Sequence, residues 1–93
     1  MEIKFFYLPG CPYCRRARKI IDELRASHPE FSGVSFDEIN EITDSAIADQ
    51  YDYWHVPAFF AGNRKLYEAQ PGDDEVKMKN EILAVFEGAM AEK

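Results

Sequence analysis

The chain has 93 residues, 46% of them hydrophobic, with a net charge of −6 at neutral pH. That length fits one small domain spanning residues 1–93, large enough for a single core without staples. The charge argues against nucleic acid as a partner, and without an apolar run of about 18 residues no membrane span is expected.

In chain order, Glu2 to Leu8 is nearly continuous in apolar residues and reads as a strand buried on both faces. Pro12 to Ser27 reads as a helix, with Ala17, Ile20, Ile21 and Leu24 at i, i+3, i+4 and i+7 forming one apolar stripe. Arg15, Arg16, Arg18, Lys19, Asp22, Glu23 and Arg25 cover its other side, and Pro29 ends it. Val34 to Ile39 alternates imperfectly and reads as a second strand, parallel to the first through a right-handed crossover.

Thr43 and Asp44 are N-cap candidates for a second helix through about Tyr53, with Ile47 and Tyr51 on its buried side. Val56 to Phe60 is expected as a strand, Gly62-Asn63 as a tight turn and Arg64 to Glu68 as the hairpin partner. Gln70-Pro71-Gly72 breaks the chain. Asp73 or Asp74 then caps a last helix, in which Val76, Leu83, Phe86 and Met90 are core candidates and Lys79 interrupts the early stripe. No linker, repeat or low-complexity segment interrupts this order.

The two cysteines, Cys11 and Cys14, stand two residues apart at the turn from first strand to first helix. A Cys-x-x-Cys there points to thiol–disulfide exchange. Unpaired N–H groups and the dipole at the helix start favour a thiolate at Cys11. Pro12 suits the first helical position because its fixed φ fits and its missing N–H costs nothing. Cys14 lies one turn further on, within reach of Cys11 and expected to be buried. So short a loop adds little as a structural staple. The two histidines, His28 and His55, match no zinc spacing with the cysteines, so no metal site is expected within the chain. A lone pair of this kind, with no secretion signal, points to a reducing compartment, hence a cytoplasmic location.

Gly10-Cys-Pro-Tyr-Cys14 resembles the active-site motif of the dithiol glutaredoxins, and two later landmarks extend the resemblance over the whole chain. His55-Val-Pro57 is similar to the segment carrying that family's cis-proline, and Gly72-Asp-Asp74 to the end of its glutathione-binding motif. The resemblance implies an α/β thioredoxin-like fold, a four-stranded mixed sheet with helices on both faces in the order β-α-β-α-β-β-α. It implies a thiol–disulfide oxidoreductase for electron transport and cell redox homeostasis. Cys11 attacks protein or low-molecular-weight disulfides, Cys14 resolves the mixed disulfide, and glutathione is the reductant. It further implies a monomer, with disulfide-bearing proteins, small disulfides and glutathione as partners.

By the same resemblance Tyr13 lines the substrate groove, and Val56, beside Pro57, offers backbone N–H and C=O to an extended substrate. Gly72, Asp73 and Asp74 are expected to hold the γ-glutamyl end of glutathione. Arg15 and Arg16 either add positive potential near Cys11 or form a solvated helix face. His55, where the family usually has threonine, either donates a proton or partners a charge, or points to solvent or packs on Trp54. Two departures weaken the glutathione site. Leu8 stands where the family often has a carboxylate-binding lysine, and Pro71 replaces a glycine and removes its N–H. Phe5 stands where thioredoxins carry a buried acid. Two rival readings are a thioredoxin-like protein recycled by a dedicated reductase and, by family resemblance, an iron–sulfur carrier that shares a cluster between two chains and two glutathiones. A non-catalytic interaction module has no need of two thiols one turn apart.

Overall fold

The apolar run at the N-terminus forms the strand at the centre of the sheet. In a computed structural model of the chain, which describes residues 2–91, β1 (Glu2–Tyr7) lies between β2 (Ser35–Asn40) and β3 (Ala58–Ala61). β4 (Arg64–Glu68) completes the order β2-β1-β3-β4. β1 and β2 are parallel, with Ile3 opposite Phe36, and β1 and β3 are antiparallel, with Phe5 opposite Phe59. The β3–β4 hairpin shifts register between Phe59 and Phe60. Gly62 turns it at φ +59°, in the left-handed region open to glycine.

Alternation along β1 sends its side chains to two separate cores. Ile3 and Phe5 pack under α1 (Pro12–Ser27) and α3 (Glu75–Ala91). Phe6 packs on the opposite face with Ile39, Ala48, Ala58 and Phe60. The Phe5 and Phe59 rings stack with centroids 4.9 Å apart. The sheet is therefore mixed, four-stranded and covered on both faces, the thioredoxin-like arrangement.

α1 has the bounds and the apolar stripe read from the sequence. Its four stripe residues are all buried, and truncating a residue such as Ile20 to alanine costs about 2–5 kcal/mol. Pro29 does more than end α1. It opens a 3₁₀ turn, Pro29–Gly33, that buries Phe31 against Phe86 with ring centroids 4.5 Å apart.

Three expectations are corrected. The second helix, α2, is only Ser45–Ala48. The Asn40 side-chain oxygen accepts the N–H groups of Ile42 and Thr43, which holds the preceding segment in a turn. Asp44 stands at the N-cap position, but its side chain caps nothing. Ile47 is exposed, and Ala48 with Tyr51 supplies the packing on Phe6 and Phe60. β3 begins at Ala58, so Val56 and Pro57 precede the strand. Val76 is 70% exposed, because a helix begun after Asp74 turns its second residue to solvent. The buried stripe of α3 is Met78, Ile82, Val85, Phe86 and Ala89, with Leu83 and Met90 packed at its margin.

Candidate functional site

The approach to the cysteines is a Pro-Gly turn. Leu8 accepts the Cys11 N–H at 3.2 Å, with Pro9 and Gly10 between them and Gly10 at φ +81°. This is the type II pattern, in which proline presets the first central residue and glycine supplies the positive φ at the second. The turn delivers Cys11 to the N-cap position of α1, with Pro12 as the first helical residue. The Arg15 guanidinium donates to the Gly10 carbonyl at 3.1 Å and ties the turn to the helix.

Both cysteines are free thiols. Cys11 is half-buried, and its Sγ lies 4.0 Å from the Val56 carbonyl oxygen. Cys14 is buried, as the sequence predicts, and burial pushes its thiol up to about 12. The Leu8 backbone N–H pulls the other way, and a hydrogen bond to Cys11 adds to the rise. Two unlike sulfurs result. One is accessible at a helix start, and the other is kept protonated beneath it.

The Val56–Pro57 peptide is cis, and Pro57 is buried. The loop before it is held by a residue that sequence reasoning missed. The Glu68 carboxylate accepts the N–H groups of both Trp54 and His55 at 3.0 Å and pairs with Lys65 at 2.7 Å. Burial opposes ionisation of Glu68, but the Lys65 ammonium and the two N–H groups outweigh it and hold the carboxyl below its ordinary range. The Ala69 N–H donates to the Pro57 carbonyl and fixes the other side of the same loop. No spacing in the sequence marks Glu68 as the clamp of this loop, because the two backbone N–H groups it holds lie more than a dozen residues away. The side chain of His55 is turned out to solvent.

The third landmark forms a second Pro-Gly turn. Asp73 N–H donates to the Gln70 carbonyl at 3.0 Å across Pro71 and Gly72, with Gly72 at φ +93°. The two turns are clasped together. Gly72 N–H donates to the Tyr13 hydroxyl at 3.0 Å, and Arg16 donates to the Asp73 carbonyl at 2.9 Å while lying over the Tyr13 ring. Tyr13 thus sits between the cysteine turn and the loop before α3.

Asp73 and Asp74 take different places. Asp74 is the helix cap, its Oδ1 accepting the Lys77 N–H at 2.8 Å. Asp73 is 8% exposed and points inward. Its Oδ2 accepts from Gln70 N–H at 3.0 Å and from the Tyr67 hydroxyl at 2.7 Å, and its Oδ1 from Lys77 Nζ at 3.2 Å. The Gln70 N–H, then the Tyr67 hydroxyl and the Lys77 ammonium, hold its carboxyl below the ordinary range. Burial and the Asp73 carboxylate in turn push the Tyr67 phenol up. The N–H groups of Gly72 and Asp73 and the carboxylate of Asp73, read from the sequence as glutathione contacts, are thus bonded within the protein. The fold thus brings Val56, next to Pro57, against Cys11, and ties the cysteine motif to the Gly72 turn through Tyr13.

Solved structures share this architecture at low sequence identity. A malarial protein superposes with a TM-score of 0.62 at 11% identity, over 94% of this chain and 93% of that one. Thioredoxin O2 from Arabidopsis thaliana, in its oxidised state, gives 0.56 at 24%, over 91% and 74%. The first two thioredoxin domains of Saccharomyces cerevisiae Eps1p give 0.55 at 15%, over 91% of this chain and 33% of theirs. Among curated protein sequences, none matches the chain. The family model for glutaredoxin matches residues 3–65, a span that holds Cys11, Cys14 and Pro57 and ends before Gly72. With that match covering more than half its length, the chain belongs to the glutaredoxin family.

Proposed function

We propose that this protein is a dithiol oxidoreductase that reduces protein or low-molecular-weight disulfides, with Cys11 as nucleophile and Cys14 as resolving thiol. The observation that carries the reading is the contrast between the two sulfurs, Cys11 accessible at the helix start and Cys14 buried one turn on. The Cys11 thiolate attacks one sulfur of the substrate disulfide, forms a mixed disulfide and releases the first substrate thiol. Cys14 then gives up its proton and attacks the Cys11 sulfur. The second substrate thiol leaves, and the protein holds a Cys11–Cys14 disulfide. Val56 and Pro57 receive the substrate backbone beside the reacting sulfur, as an added strand is received at a sheet edge.

Two glutathione thiols then reduce the protein disulfide and leave as oxidised glutathione. Family membership supports glutathione as that reductant. The same reading places the protein in the reducing cytoplasm, acting as a monomer. Among the described residues, no helix is long and apolar enough to cross a membrane.

A second reading, recycling by a dedicated reductase, is favoured by the commitment of Gly72 and Asp73 to internal partners. A coupled assay separates the two. Turnover with glutathione and glutathione reductase supports the first reading. Turnover only with a thioredoxin reductase supports the second.

A further inference from the structure

We infer that the exposed face formed by residues 41–54 docks a cationic, apolar segment flanking the disulfide of a protein substrate. Trp54 is 86% exposed and Ile42 65%, and Ile47 in the same segment is exposed as well. Burying such side chains is the main gain available to an incoming chain, and tryptophan is a favoured anchor at interfaces. Between Trp54 and Ile42 runs a groove of about 440 Å³ whose walls also include Glu41, Asp49 and Tyr53.

The charge of this face selects the occupant. Residues 41–54 carry Glu41, Asp44, Asp49 and Asp52 and hold no lysine, arginine or histidine. The ion pairs among the described residues engage none of these four. Lys4, on the same face of the sheet as Phe6, is paired with Asp37, and Lys65 with Glu68. Glu41 accepts the Tyr53 hydroxyl at 2.7 Å and keeps that ring at the groove wall. A groove that sets aromatic rings and Ile42 among acidic walls fits lysine or arginine beside an aromatic or aliphatic residue, and it repels anionic surfaces.

Its position ties it to the chemistry. Trp54 stands two residues before Val56, whose carbonyl faces Cys11 Sγ at 4.0 Å. Two residues of extended chain span at most about 7 Å, so a substrate held at Val56 lays its neighbouring residues on this face. Glu68 holds the Trp54 and His55 backbone, so the anchor is placed before substrate arrives.

The inference rests on the disulfide-exchange reading, and binding is measured without turnover so that the two fail separately. Trp54 is the only tryptophan and reports on the groove directly. The reduced protein is titrated with two extended peptides, each with serine replacing the substrate cysteine. They are identical except that lysines flanking a phenylalanine in one become glutamates in the other. The lysine peptide is expected to shift Trp54 emission saturably and bind at least about tenfold more tightly. Raising salt from about 0.02 to about 0.3 M is expected to shrink that preference, since these charges are exposed. The exposed double substitution Asp49→Asn/Asp52→Asn is expected to cut it by about threefold or more, with reduction of a small uncharged disulfide unchanged. Equal binding of the two peptides, or a preference unchanged in the double variant, overturns the inference. So does concentration-dependent dimerisation that buries Trp54, which makes a second copy of the chain the occupant.

Discussion

The Tyr13 hydroxyl accepts the Gly72 N–H at 3.0 Å, joining the middle of the Cys-x-x-Cys motif to a loop 59 residues away. A sequence position that reads as groove lining is thereby also a clasp. The bond occupies a backbone donor on the loop that the family resemblance assigns to glutathione. It also fixes the Tyr13 ring, over which the Arg16 guanidinium lies 5.3 Å from the centroid.

Tyr13→Phe keeps the ring and removes the clasp. Loss of one such hydrogen bond is expected to lower stability by about 0.5–1.5 kcal/mol in a denaturant titration. With the Gly72 N–H released, the apparent KM for glutathione is expected to fall. A KM unchanged or raised, with stability intact, shows that the bond does not compete with glutathione.

Asp73→Ala is expected to act first on stability. It strands the buried Tyr67 hydroxyl and takes the acceptor from the Gln70 N–H, which together costs about 1–3 kcal/mol. Asp74→Ala removes a helix cap and costs about 1 kcal/mol. The Asp73 carboxyl ionises below its ordinary 3.8 in the folded protein. Its contribution is therefore complete above that value and is lost as pH falls through the lower folded value. Acid titrations of wild type and Asp73→Asn are expected to diverge above that range and converge below it. Equal stability at neutral pH rules the anchor out.

Glu68→Gln tests how far the loop before Pro57 depends on its clamp. A neutral amide accepts the two N–H groups less strongly and loses the Lys65 pair. We expect kcat/KM for a peptide disulfide to fall by about tenfold, a transition-state loss near 1.4 kcal/mol, with little change in thermal stability. Unchanged kcat/KM shows that the loop is held by the Ala69–Pro57 bond alone.

Cys14, its thiol pushed up to about 12 by burial, stays protonated at pH 8. Brief treatment of the reduced protein with iodoacetamide at that pH is expected to place a single adduct on Cys11, read by peptide mapping. Modification of Cys14 at a comparable rate contradicts the burial that separates the two thiols.

Much of this was legible in the sequence where local rules and tertiary packing agree. The stripe from Ala17 to Leu24, the Pro12 start and the apolar β1 run reappear as read. Periodicity failed in the 43–53 segment, where an Asn40 side chain captures two N–H groups and leaves a single short turn of helix. It failed again at Val76, because which aspartate caps α3 decides which face of the helix is buried. The cysteines and the proline were visible because each carries its meaning in its residue type. Glu68 and the inward turn of Asp73 were not, since a carboxylate that serves backbone donors looks in sequence like any surface acid.

The division of labour between the two cysteines is tested most directly by trapping. Cys14→Ser and Cys11→Ser are each incubated at neutral pH with oxidised glutathione, and the products are weighed intact and mapped. Cys14→Ser is expected to stall as a mixed disulfide with one glutathionyl group on Cys11, the displaced glutathione thiol having left. Cys11→Ser, with its remaining sulfur buried and protonated, is expected to stay unmodified. Glutathionylation of Cys14 in Cys11→Ser at a matching rate, or none at Cys11 in Cys14→Ser, contradicts it.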